Sequence, residues 1–163
     1  MTTDIMAQLA SWQISPELIE HPPLFTCDDA DRLLLKRPGT RLKNLFLRDN
    51  YGRRHALLLT RPDKQVDLKA LSTQLGWSRI GFASNERLLR YLGVEPGHVS
   101  VLALVNDTQQ QVELWLDQDL IDGDHFHCHP LRNTATVLLS KTDLQHFTEQ
   151  TGHTPQWLNI PER

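Results

Sequence analysis

The chain has two cysteines, Cys27 and Cys128, among its 163 residues. That is too few for a secreted disulfide scaffold, and a reducing compartment is expected. No apolar run approaches the roughly 18 residues of a membrane span. Met1 to Ala10 hold no basic residue and do hold Asp4, unlike a secretory or organellar leader. The expectation is a cytoplasmic protein with no membrane association. There is no Walker motif and no GxGxxG fingerprint, so nucleoside triphosphate and dinucleotide chemistry find no support. CxxC and HExxH are missing too, as are internal repeats, low-complexity tracts and linkers.

What is present is the composition of an ordinary globular protein, 39% hydrophobic and 23% charged, with a length that fits one domain over 1–163. The net charge of −3 conceals an asymmetry. Arg32 to Arg90 holds 14 Lys or Arg and 4 Asp or Glu; the remainder holds 3 and 16. Such a division fits a basic surface facing a polyanion, or charges spread over several solvated faces, and composition leaves both open.

Hydrophobic spacing predicts the elements. Ile5, Met6, Leu9 and Trp12 recur at helical intervals, and Ser15-Pro16 ends that helix. Thr26 caps a second helix, with Asp28, Asp29 and Asp31 in its first turn and Lys36 and Arg37 in its last, before Pro38-Gly39. Leu42 to Arg48 and His55 to Thr60 read as a hairpin around Asp49-Asn50-Tyr51-Gly52. Asp67 and Gly76 bracket a helix, Ser84 and Gly93 another, and Ser140 and Gly152 the last. Val99 to Val105, Val112 to Leu116, Phe126, Thr134 to Leu139 and Trp157-Leu158 read as strands. Helices and hairpins mix without strict alternation. The expected fold class is therefore α/β of the α+β type, with a mixed, largely antiparallel sheet flanked by helices.

Four features could carry chemistry. His125, His127 and His129 would share one face of a strand and could hold zinc or iron, but no distant ligand set accompanies them. Cys128 could be a nucleophile, yet a strand turns it away from the adjacent His127. Lys43-Asn44 opens a strand inside the basic segment, where a lysine can meet a phosphate or carbonyl oxygen, or simply be solvated. Gly93 to Gly97 is a glycine-bearing turn whose amides suit an oxyanion, or an ordinary helix stop.

Taken in order, several segments resemble one family. They are His21-Pro22-Pro23 with Phe25-Thr26, Lys43-Asn44-Leu45-Phe46-Leu47 with Asp49, and Val66 to Leu71. Phe82-Ala83-Ser84, Leu92 to Gly97, Asn106-Asp107, His129 to Thr136 and Gly152 to Pro155 complete the set. The resemblance, from about residue 18 to residue 160, is to the YbaK/EbsC superfamily. Within it the chain is similar to free-standing proteins like the editing insertion of bacterial prolyl-tRNA synthetase, including the PrdX or ProXp-ala group.

The resemblance implies hydrolysis of the ester between an amino acid and the terminal adenosine of tRNA, foremost alanyl-tRNA(Pro), without cofactor or metal. It implies catalytic roles for Lys43, Asn44 and His129, and substrate contacts at Gly97, Ser100, Val101 and Thr26. Arg32, Lys36, Arg37 and Arg41 would follow the acceptor stem, and prolyl-tRNA synthetase is an implied partner. The family's GxxxP loop falls on Gly97-His98-Val99-Ser100-Val101, with valine where proline is usual. Serine, cysteine or 2-aminobutyrate on tRNA are therefore alternative substrates, and a non-catalytic tRNA-binding module is the alternative of another class.

Overall fold

The computed structural model describes residues 4–21, 40–132 and 134–163. The helix predicted from Thr26, with Arg32, Lys36 and Arg37, lies outside the described residues. Helix α1, Ile5–Ser11, starts where the Asp4 carboxylate accepts the Ala7 amide at 3.1 Å. It buries Ile5 and Leu9, and Trp12 just beyond it packs on Phe147 with ring centroids 5.9 Å apart.

The strands form two mixed sheets where one was expected. The first runs β1 (Glu17–Glu20), β8 (Ala135–Ser140), β7 (His125–Cys128), β2 (Thr40–Arg41). The second runs β5 (Gly81–Phe82), β3 (Lys43–Arg48), β4 (His55–Thr60), β6 (Val112–Asp117), β9 (Pro155–Leu158). The pairs β2–β7, β4–β6 and β6–β9 are parallel; β1–β8, β7–β8, β3–β4 and β3–β5 are antiparallel. The chain changes sheets at Leu42, between β2 and β3. Sequence alternation cannot reveal such a crossing: the apolar run begins at Leu42, and the two polar residues of β2, Thr40 and Arg41, carry no strand pattern.

Three helices follow the predicted caps. Helix α2, Leu68–Leu75, has its first turn held by Asp67, and Gly76 closes it at φ +69°. Helix α3, Asn85–Leu92, is capped by the Ser84 hydroxyl and ends at Gly93, φ +66°. A side chain at Gly93 would also meet Asn106 Nδ2 at 2.9 Å, and that amide donates to Leu92 O. Helix α4, Lys141–Thr151, has Ser140 as its N-cap.

The strand expected over Val99 to Val105 is instead a 3-10 helix, Val101–Asn106. The Ser100 hydroxyl accepts the Leu102 amide at 3.0 Å and starts it. An unbroken apolar run carries no period, so the serine cap decides the outcome.

The larger core lies between the sheets and includes Phe46, Leu57, Leu59, Leu102, Phe126 and Phe147. A smaller one lies under α2, around Leu47, Leu58, Leu71 and the edge-on pair Trp77 and Trp115, 4.8 Å apart. β4 is buried at all six positions because both its faces are covered. Each leucine so buried contributes about 1.5–3 kcal/mol.

Candidate functional site

Lys43 opens β3 opposite Thr60, and Asn44 lies opposite Leu59. Successive strand residues face opposite ways. Lys43 therefore shares the face of Leu45 and Thr60, and Asn44 that of Phe46 and Leu59, which line the larger core.

The two polar side chains have different fates. Lys43 Nζ donates to the main-chain oxygen of Lys64 at 2.6 Å. Asn44 Oδ1 is buried without a hydrogen-bond partner among the described residues. A buried amide oxygen left unpaired costs about 1–3 kcal/mol, so its persistence suggests an acceptor waiting for a donor.

Beneath Lys43 is a buried ionic cluster that sequence reading missed. Lys64 is 3% exposed, and its ammonium lies 2.7 Å from Asp117, 3.0 Å from Asp119 and 3.2 Å from Ile160 O. Thr60 Oγ1 also donates to Asp117, at 2.5 Å. Burial works against the Lys64 charge, yet the two carboxylates outweigh it and raise its pKa. Nothing in the local pattern marks Lys64: an Arg61-Pro62-Asp63-Lys64 turn reads as a solvated loop, and the partners are more than 50 residues away.

His129 follows β7. In the parallel β2–β7 pair Arg41 lies beside His127, so Lys43 and His129 each stand two residues beyond the last pair. Lys43 opens β3 in the second sheet, and His129 follows the last residue of β7 in the first. His129 is half-buried, with Nδ1 3.5 Å from Ala135 O, a weak contact. Burial holds its pKa below the ordinary histidine value; the Ala135 carbonyl opposes this, and the charges of His21 and His98 add to it. The imidazole is thus neutral at pH 7. His21 and His98 belong to segments that carry the family resemblance, but neither was assigned a role from sequence. His21 Nε2 lies 2.8 Å from Thr136 Oγ1.

The glycine loop reaches His129 through Ser100, whose hydroxyl donates to His129 O at 2.7 Å. Ser100 is 1% exposed and Val101 is fully buried in the core. Ser100 fastens the loop to the His129 segment, and Val101 anchors it in the core. Gly97 has φ +87° with open space where a Cβ would stand, so backbone conformation and not crowding requires glycine there.

Arg41 is half-buried at the end of β2, and Thr26, Arg32, Lys36 and Arg37 fall outside the described residues. Among the described residues no three His, Cys, Asp or Glu side chains are grouped to hold a metal, and His125 is exposed on β7. Burial pushes the Cys128 thiol up to about 12, which removes it as a nucleophile near neutral pH. No helix among the described residues is long and apolar enough to cross a membrane.

Comparison with known proteins meets this geometry. The chain is 36% identical over 150 residues to the prolyl-tRNA editing protein ProX of Acetoanaerobium sticklandii, covering 92% of each chain. It is 40% identical to the prolyl-tRNA synthetase associated domain-containing protein 1 of Danio rerio, over 90% of this chain and 80% of that one. In fold it matches the crystal structure of a candidate trans-editing enzyme for prolyl-tRNA synthetase, with TM-score 0.75 and 18% identity, covering 100% of this chain and 99% of that one. The pattern of the aminoacyl-tRNA editing domain covers residues 21–147, a stretch that contains Lys43, Asn44, the Gly97 loop and His129, and the chain belongs to the aminoacyl-tRNA editing domain family.

Proposed function

We propose that this protein is a trans-editing hydrolase that removes wrongly attached amino acids from tRNA, with alanyl-tRNA(Pro) as its main substrate. The observation that carries the reading is the family match over 21–147, a stretch that contains Lys43, Asn44, Gly97 and His129. The Acetoanaerobium sticklandii relative is named for prolyl-tRNA editing and the Danio rerio relative for association with prolyl-tRNA synthetase. Those names support tRNA(Pro) as the cargo and the synthetase as a partner.

The need is physical. A synthetase pocket built for proline rejects alanine poorly, because missing methylenes are worth only about 1–3 kcal/mol. A second site that admits small side chains and excludes proline removes the error. The scissile bond is an activated ester, so water suffices as nucleophile.

In this mechanism Lys43 leaves the Lys64 carbonyl to hold the terminal phosphate or ribose of the tRNA. The unpaired Asn44 oxygen accepts from the substrate's α-ammonium group and orients the aminoacyl end. Loop amides hold the carbonyl oxygen as charge develops on it. The His98 and Leu102 amides are already engaged, with Glu95 O and Ser100 Oγ. Gly97, Val99, Ser100 and Val101 are left as the candidate donors. Neutral His129 lines the pocket without repelling the substrate's ammonium. Arg41, with Arg32, Lys36 and Arg37, would follow the acceptor stem, which predicts salt-sensitive binding.

Val101 at the position of the family proline favours a loop of altered shape and a shifted amino-acid range. Deacylation of a panel of alanyl-, seryl-, cysteinyl- and 2-aminobutyryl-tRNA(Pro), with prolyl-tRNA(Pro) as control, tests the assignment. The expected result is fastest hydrolysis of the alanyl ester with the prolyl ester intact. Equal rates on all five, or none on any, would overturn it.

A further inference from the structure

A lysine on a strand does not stand still by itself. Its long stem rotates freely, and holding the ammonium in one place has to offset the lost rotamer freedom. The Lys43 ammonium is held by one bond, to the main-chain oxygen of Lys64 at 2.6 Å. Whatever fixes that oxygen therefore fixes Lys43.

Thr60, the strand partner of Lys43, ends β4. The chain then turns, with the Lys64 amide donating to Arg61 O at 3.1 Å. Connecting turns are ordinarily among the more mobile parts of a fold. This one is fastened on both sides. Before it, the Thr60 hydroxyl donates to Asp117. After it, the Asp67 amide donates to Pro161 O at 2.8 Å, and the Arg163 amide to Gln65 O at 2.9 Å. Between these ties the Lys64 side chain turns inward. Its ammonium meets Asp117 at 2.7 Å, Asp119 at 3.0 Å and Ile160 O at 3.2 Å.

An ammonium has three N–H donors, and three acceptors account for all those of Lys64. None is left for a substrate. Lys43 spends one donor on the Lys64 carbonyl and keeps two. Stability alone gives little reason for the grip on Lys64, because a buried ion pair is often no more stabilising than apolar side chains of the same volume. What acceptors from the end of β6, the 3-10 turn after it and the C-terminal segment do supply is a fixed point in space.

We infer that Lys64 is a positioning residue for the deacylation: its ammonium, gripped by Asp117, Asp119 and Ile160 O, fixes the carbonyl on which Lys43 rests and so aims the Lys43 ammonium before the tRNA end arrives. An ammonium held in advance spares the reaction the ordering of a loose side chain. The tRNA end meets the two remaining donors of Lys43 and then draws the ammonium off the carbonyl. Lys64 touches neither substrate nor reacting atoms and acts through Lys43. The inference rests on the reading of Lys43 as the group that holds the tRNA end.

The test is a double-mutant cycle on the full chain. Single-turnover deacylation of alanyl-tRNA(Pro) is measured with Lys64→Met and with Asp119→Asn, each alone and combined with Lys43→Ala. Lys64→Met removes the charge and keeps a long stem. Asp119→Asn weakens one of the three grips at a side chain that is 50% exposed, which spares the fold. Lys64→Met should slow the reaction about tenfold or more, and Asp119→Asn about threefold. Neither should change the rate by more than about twofold once Lys43 is gone, because a residue acting only through Lys43 then has nothing to act on. Carbon-13 relaxation at Lys43 Cε in the tRNA-free protein supplies a reading independent of activity. Lys43 should be ordered in the wild type and approach the mobility of exposed Lys69 in both variants.

The same fold-loss with and without Lys43, or a Lys43 equally ordered in all three proteins, would overturn the inference and leave Lys64 as a holder of the fold alone. Should Lys64→Met fail to fold, Asp119→Asn decides by the same two comparisons. A wild type that cleaves no aminoacyl-tRNA, yet loses Lys43 order on these substitutions, would sink the hydrolase reading and leave the hold on Lys43 standing.

Discussion

The two ends of the β3–β4 hairpin treat polar groups in opposite ways. At the closed end every buried polar group discussed is partnered. Asp49 accepts two main-chain amides and lies 3.5 Å from the Ser78 hydroxyl. Burial alone would raise its pKa, yet these bonds hold it below the usual carboxylate value. His55 is sandwiched between Phe46 and Tyr91, at 5.6 and 4.1 Å. At the open end Asn44 Oδ1 has no partner among the described residues, and the Lys43 ammonium rests on a main-chain carbonyl. Natural chains break local rules at functional sites and compensate elsewhere. On this reading the closed end is built for rigidity, and the open end keeps its polar groups ready for a ligand.

The strongest way to break the comparison is to remove the support under the open end. Asp117→Ala leaves Lys64 buried without its nearest counter-charge, and should cost about 3–5 kcal/mol in urea unfolding. Asp117→Asn, which can keep the Thr60 bond, should cost less. A loss below about 1 kcal/mol for the alanine variant would mean that the ionic cluster does not hold this end.

Asp49→Ala should cost about 2 kcal/mol, because it strands the amides of Arg53 and Arg54. Deacylation per folded molecule should be unchanged, and a matching fall in rate would erase the distinction between the ends.

Asn44→Ala should do the reverse. Removing an unpaired buried oxygen should leave stability unchanged or raise it by up to about 1 kcal/mol. The deacylation rate should drop by about tenfold or more, as for an orienting group that touches substrate. A variant both less stable and fully active would make Asn44 a structural residue.

The smallest effect is on the pH profile of stability. Burial lowers the pKa of His55 at the closed end and His129 at the open end. Between the ordinary value of about 6.5 and those lowered values, the unfolded chain binds protons that the folded chain refuses. Stability should therefore fall as pH drops through that window, and His55→Phe should flatten the fall. Stability that rose on acidification from pH 7 would contradict the buried, neutral histidines.

Much of the fold was legible from local chemistry. Asp67 with Gly76, Ser84 with Gly93, and Ser140 with Gly152 marked three helices because caps act within four residues. The hairpin was legible because its turn and alternation are contiguous. The crossing at Leu42 was not, since it depends on β2 pairing with β7 some 85 residues away. Nor was the 3-10 helix after Ser100, where an apolar run offered no period to read. The site shows the same division. Lys43 and His129 could be named from resemblance, but Lys64, Asp117 and the clamp from Ser100 to His129 exist only once distant segments meet.

The most direct measurement is single-turnover deacylation of alanyl-tRNA(Pro) by the wild type and by Lys43→Ala, with unfolding of both monitored in urea. The account predicts a loss of about 100-fold or more in rate, equivalent to about 2.7 kcal/mol, while the unfolding free energy stays within about 1 kcal/mol of wild type. A folded Lys43→Ala protein that still deacylates at the wild-type rate would contradict it.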